Sequence, residues 1–239
     1  GSNNGSVTVY TYNKADNQWE SKGPLIEALL YDFTGRSVSL SSNGDTVAVG
    51  APNSDNGSVT VYTYNGTTTQ WDQIGQVIRG LSKEDFAGFS VSLSSDGHTV
   101  AVGTINSDNG SVTVYTYNES TKQWDQIGQV IEGLSTDDEA GSSVSLSSNG
   151  HTVAVGAIYG GKGSNSIDNG SVTVYTYNGT TNLWDQMGQV IEALSYLAEA
   201  GSSVSLSSDG YTVAVGAPQV DSVTVYTYNE STKQWDQIG

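Results

Sequence analysis

Residues 90–118, SVSLSSDGHTVAVGTINSDNGSVTVYTYN, hold three strand-like segments and decide how the whole chain is read. SVSLSS at 90–95, TVAVG at 99–103 and SVTVYTYN at 111–118 each alternate apolar with small or polar residues, the period of a pleated strand. Asp96-Gly97 joins the first two, and its counterparts Asn43-Gly44, Asn149-Gly150 and Asp209-Gly210 join the same segments elsewhere, so each link is expected to be a two-residue type I′ hairpin turn. A fourth segment, WDQIGQVI at 124–131, closes the unit. Ser, Ala and Gly on the faces opposite Val and Leu leave room for a second sheet to approach closely, so the middle strands are expected to be buried on both sides.

The unit recurs. SVTVYTYN begins at Ser6, Ser58, Ser111, Ser171 and Ser222, 52, 53, 60 and 51 residues apart, each copy followed by a Trp: Trp19, Trp71, Trp124, Trp184 and Trp235. Such spacing belongs to propeller-type repeats rather than short solenoid turns. The expected fold is all-β: tandem four-stranded antiparallel sheets in the manner of β-propeller blades, four complete units plus a half unit. As a single domain over 1–239 it divides into the half unit 1–33 and units of approximately 34–85, 86–138, 139–198 and 199–239. Whether the ring closes, or the repeats are part of a longer array, is left open by the pattern.

Composition narrows function. Eight Lys and Arg against 25 Asp and Glu give a net charge of -17, which repels nucleic-acid phosphates and anionic lipid. The absence of cysteine removes disulfides and thiolate chemistry. No apolar run reaches spanning length and no charged-then-apolar leader opens the chain, so neither nucleic-acid binding nor membrane insertion is expected, and the chain reads as a mature or excised segment.

The stretch FAGFSVSLSSDGHTVAVG, 86–103, with Gly50-Ala51-Pro52 and Gly216-Ala217-Pro218, resembles the FG-GAP repeat of integrin alpha-chain-like β-propellers. The FG-like element is Thr34-Gly35, Ala87-Gly88, Ala140-Gly141 and Ala200-Gly201, and the third unit departs from GAP as Gly156-Ala157-Ile158. The resemblance implies an extracellular or cell-surface adhesion or recognition module and not an enzyme. The family's calcium loop between the first two strands is replaced here by a short turn. Asp55, Asp108 and Asp168 in the next loop offer too few carboxylates for more than loose calcium binding.

Asn-x-Ser/Thr acceptors occur at Asn4, Asn56, Asn109 and Asn169 before the SVTVYTYN strand and at Asn65, Asn118, Asn178 and Asn229 after it, turn positions suited to N-linked glycans in a eukaryote. No catalytic residue is singled out. His98 and His151 occupy turn positions filled by Asp45 and Tyr211 in other units, and the near-P-loop GAIYGGKG at 156–163 precedes a strand instead of the helix that phosphate binding needs. The acidic pair Asp137-Asp138 lies in a connector whose sequence changes between units; a specific surface could be built there, but a solvated connector is the expected reading. Near-interchangeable units point to a non-catalytic structural or adhesive glycoprotein, with protein or glycan contacts at its loop rims and head-to-tail self-association into filaments or a surface layer. A lectin-like propeller is the alternative, and a propeller hydrolase stands behind it.

Overall fold

The computed structural model describes residues 5–27, 33–82, 85–105, 109–160, 169–193 and 197–238. Four antiparallel sheets follow a split N-terminal hairpin whose strands run Ser6–Val7, Tyr10–Asn13, Gln18–Ser21 and Ile26–Glu27. Sheet I comprises Ser37–Leu40, Thr46–Ala51, Ser58–Asn65 and Gln70–Gln73, with Ile78–Arg79 also on its third strand. Sheet II comprises Ser90–Leu93, Thr99–Thr104, Ser111–Asn118 and Gln123–Glu132. Sheet III comprises Ala140–Leu146, Thr152–Ala157, Ser171–Asn178 and Leu183–Gln186, with Ile191–Glu192 on its third strand. Sheet IV comprises Ser203–Leu206, Thr212–Ala217, Ser222–Asn229 and Gln234–Ile238. The only helix among the described residues is the short 3-10 segment Pro218–Val220. The fold is all-β and propeller-like, built of four-stranded antiparallel blades.

Alternation along the strands builds the packing. In sheet I, Val47 and Val49 pair with Tyr62 and Thr60 on one face, while Ala48 pairs with Val61 on the other. Val47 and Val49 pack on Val7, Val9 and Ile26 of the N-terminal hairpin, and Ala48, Val59 and Val61 pack on Val91, Val100, Val102 and Trp124 of sheet II. The same arrangement repeats at the next two junctions, and Val59, Val112 and Val172 are all fully buried. At roughly 1.5–3 kcal/mol for each buried aliphatic side chain, these interfaces hold units that cannot bury their own faces alone. The same apolar positions stand open at the two ends: Val223, the counterpart of Val59, is 73% exposed, and Val38 and Leu40 are about half exposed.

Polar groups index the sheets against one another. The hydroxyls of Ser39, Ser92 and Ser145 accept the Leu93, Leu146 and Leu206 amides of the following sheet, each at 2.9 Å. The backbone amides of Ser42, Ser95 and Ser148 donate to the carbonyls of Ser95, Ser148 and Ser208 at 2.9, 3.0 and 2.9 Å. Trp indoles reach back one unit, Trp124 to the Ile74 carbonyl at 3.0 Å, Trp184 to Ile127 at 3.0 Å and Trp235 to Met187 at 2.7 Å. Gln76, Gln129 and Gln189 then grip those same tryptophans at the main chain, each amide both donating to the Trp carbonyl and accepting the Trp N–H at 2.7–2.9 Å. The N-terminal hairpin has Pro24 at the Gln position, so the bond from the Trp71 indole to the Lys22 carbonyl stands there without that clamp.

The expected type I′ turns are not formed. Gly44, Gly97, Gly150 and Gly210 have positive φ, from 68° to 81°, but the Asn or Asp before each is not among the positive-φ residues. The chain turns over four residues instead, with Gly44 N–H donating to Ser41 O at 2.9 Å and Ser41 N–H to Thr46 O at 2.9 Å. The reason is side-chain capping: the Asn43 carboxamide oxygen accepts Asp45 N–H and the Ser41 hydroxyl oxygen accepts Thr46 N–H, both at 2.9 Å, which stabilises the longer loop.

Candidate functional site

Clefts open where one unit's fourth segment and connector meet the face of the next sheet. Between sheets I and II the space is about 300 Å3, lined on one side by Ile78–Ser82, Asp85 and Ala87 and on the other by residues that include Thr104, Asn109, Ser111, Thr113, Tyr115 and Glu132. Equivalent positions line a space of about 190 Å3 between sheets III and IV, and one of about 10 Å3 between II and III. At the II–III junction the Tyr159 amide donates to the Asp138 carbonyl at 3.2 Å, which ties the following loop to the connector.

Backbone pairing sets the cleft residues. Glu132 lies opposite Ser111 and Arg79 opposite Ser58, so both project from the end of a fourth segment. The connector folds down because the Asp85 carboxylate accepts the Ser82 amide at 2.6 Å, and Asp138 does the same for Ser135 at 2.6 Å. Asp85 is buried while Arg79 and Glu132 are exposed. Burial pushes the Tyr115 phenol up from its ordinary value, with the Thr113 hydroxyl partly offsetting it, and Tyr175 and Tyr226 are raised in the same way. Each is therefore a neutral hydrogen-bond donor in its cleft. Arg79 breaks the symmetry, since the equivalent position is Glu27, Glu132 or Glu192 in the other units.

Among the glycan acceptors and calcium candidates singled out in the sequence, one described residue lines a cleft, and Asp138 of the acidic connector pair lines the narrow II–III space. Asn65, Asn118, Asn178 and Asn229 each donate from the carboxamide to an Asp across the hairpin at 2.8–3.0 Å, and their oxygens cap the following turn. Asn56 donates to the Gly80 carbonyl at 3.3 Å, and Asn169 accepts the Leu197 amide at 3.2 Å. Asn109 is the acceptor that lines a cleft, the one between sheets I and II. Asn4, Asp108 and Asp168 lie outside the described residues. Asp55 is exposed in a turn at φ 46°, and among the described residues no group of three acidic or His side chains could hold a metal ion. His98 is exposed beside Tyr117, 3.5 Å from Glu119, and lines none of these clefts. No helix among the described residues is long and apolar enough to cross a membrane.

No family model matches the chain. No curated protein matches it either. Solved structures do match. A Bacteroides uniformis protein named provisionally as a 6-phosphogluconolactonase aligns at TM-score 0.65 and 13% identity, over 97% of this chain and 63% of its own. The periplasmic gluconolactonase of Pseudomonas aeruginosa aligns at TM-score 0.65 and 17% identity, over 97% and 62%. Saccharomyces cerevisiae Sqt1 aligns at TM-score 0.54 and 15% identity, over 85% and 47%. The chain thus spans under two thirds of the length of these structures, and identities this low establish the fold alone.

That fold corrects two expectations. The reading as a non-catalytic structural or adhesive module, and with it the exclusion of enzymes, is overturned by the presence of gluconolactonases among the structures that share the architecture. The physical error lay in treating interchangeable strands as proof of interchangeable sites. Strand identity preserves the interfaces between sheets, whereas the cleft also takes its chemistry from positions that differ between units, Arg79 against Glu in its equivalents and Asp85 against Ala198. A position-by-position alignment of VIRG with VIEG would have exposed Arg79. The connector, expected from the sequence to be a solvated link, contributes Leu81, Ser82 and Asp85 to the cleft lining.

Proposed function

We propose that the chain is the propeller portion of a hydrolase that opens a small hydroxyl-rich lactone in the cleft between sheets I and II. The observation that carries this reading is the shared lining of that cleft: an exposed carboxylate, Glu132, and a neutral phenol, Tyr115, face one space of about 300 Å3. In the proposed reaction Glu132 removes a proton from water as its oxygen attacks the lactone carbonyl carbon, and the Tyr115 hydroxyl donates to the oxyanion that forms. The ring carbon–oxygen bond then breaks, and the leaving alkoxide takes the proton held by Glu132. The architecture shared with gluconolactonases supports the substrate class. Hydrolysis of gluconolactone, followed by acid release above the uncatalysed rate, tests it: Glu132→Gln is expected to lower kcat by about 100-fold or more. Wild-type turnover no faster than the uncatalysed reaction, or full activity in Glu132→Gln, would remove the assignment.

The setting we propose is extracellular, with an FG-GAP ancestry and glycans at Asn56 and Asn169. The FG-GAP reading is supported by the contact its glycines make, for Gly35 and Gly88 donate to the carbonyls of Gly50 and Gly103 at 2.9 and 3.0 Å. A Cβ on Gly50 would collide with the Gly88 carbonyl of the next unit. A glycan at Asn109 would obstruct the cleft, so that acceptor is assigned no sugar. Enzymatic deglycosylation of native material is expected to reduce its mass in steps, and a starting mass equal to the bare polypeptide would eliminate the glycans.

A further inference from the structure

We propose that Arg79 makes the cleft between sheets I and II selective for hydroxyl-rich ligands that carry a compact oxyanion, a carboxylate or a phosphate, while the matching cleft between sheets III and IV lacks that selectivity. This deepens the hydrolase reading and rests on it for the identity of the ligand's remainder. The argument begins with symmetry. Four fourth segments present the same position to solvent, and three of them carry Glu. The single Arg falls in the largest of the three clefts.

Its surroundings leave the guanidinium available. Arg79 is exposed and forms no ion pair among the described residues, although Glu132 lines the same cleft and Asp85 stands nearby on the connector. Asp85 is occupied in accepting the Ser82 amide. A guanidinium offers five donors in a planar fork that matches carboxylate and phosphate oxygens, and it stays charged at every relevant pH. Between sheets III and IV, Glu192 stands at the Arg79 position and Ala198 at the Asp85 position, so the only charge of that pair is negative. The molecule as a whole carries -17 and repels anions at long range. A preference for an anion therefore has to arise from a local contact and not from the general field.

The test is binding, independent of turnover. Calorimetric titration of the whole protein with gluconate, glucose 6-phosphate and glucose separates the carboxylate, the phosphate and the uncharged control. At least one of the two anions is expected to bind about tenfold or more tightly than glucose, and Arg79→Glu, which installs the residue of the other units, is expected to abolish the difference. Arg79→Lys should retain part of it. The exposed position and the natural occurrence of Glu at its equivalents keep the Arg79→Glu variant folded, which its melting temperature will check. Equal affinities for the three ligands, no binding of either anion, or a preference that survives Arg79→Glu would each overturn the assignment. If the charge preference holds but no lactone is hydrolysed, the hydrolase reading alone is lost. If lactones are hydrolysed without a charge preference, the role of Arg79 alone is lost.

Discussion

Identical residues do different work along this chain according to what stands beside them. Trp19 and Trp124 occupy the same place in their units, yet Trp19 is 68% exposed and Trp124 2%. The difference comes from the preceding unit, which supplies Trp124 with the Ile74 carbonyl and the Gln76 clamp. Trp124→Ala is therefore expected to destabilise the fold by about 3–5 kcal/mol in denaturant unfolding, and Trp19→Ala by no more than about 0.5 kcal/mol. Equal costs would mean that the indole contributes through its own hairpin and not through the junction. The recurrence of Trp was plain in the sequence. The glutamine that holds it was not, because a Gln 48 residues before its partner leaves no local signature.

Each sheet turns a tyrosine of its third strand toward the preceding unit. Tyr62, Tyr115, Tyr175 and Tyr226 all have phenols raised by burial, with a Thr hydroxyl on the same strand pulling partly the other way. A folded-state value above the unfolded one means that the native chain keeps its proton where the unfolded chain loses it. The associated stability is thus complete below the ordinary tyrosine value of about 10 and is lost as the pH climbs through the raised values. Melting temperature should fall steeply above about pH 10, and less steeply in Tyr115→Phe; an identical slope in the variant would show that this tyrosine does not titrate with folding. Strand alternation made these elements legible from the sequence, including the burial of the middle strands on both sides. The turn type was not legible, because Asn-Gly and Asp-Gly serve a four-residue loop as well as a two-residue one once serine and asparagine side chains cap its amides.

On the scale of the whole molecule, stacked sheets share one strongly acidic surface. Like charges oppose compaction, and salt weakens that repulsion: the screening length falls from roughly 30 Å at about 0.01 M to roughly 3 Å at about 1 M. Thermal stability is expected to rise across that range of sodium chloride, and a fall would show that ion pairs such as Lys22 with Asp45 outweigh the net repulsion. The propeller-like architecture could be read from repeat length and alternation. The site could not, because its carboxylate and phenol, Glu132 and Tyr115, recur in the other copies and read as repeat scaffold, while Arg79, the residue that departs from the pattern, is a single substitution in a near-identical segment.

The bonds between sheets carry one more implication. Among the described residues, the side-chain bonds that cross a junction join adjacent copies, as with Ser92 and Leu146 or Gln129 and Trp184. A gene that gained or lost one full period by unequal recombination would encode a protein in which the crossing bonds between Gln-bearing copies still found their mates. Copy number is thus free to drift during evolution while the seams stay intact.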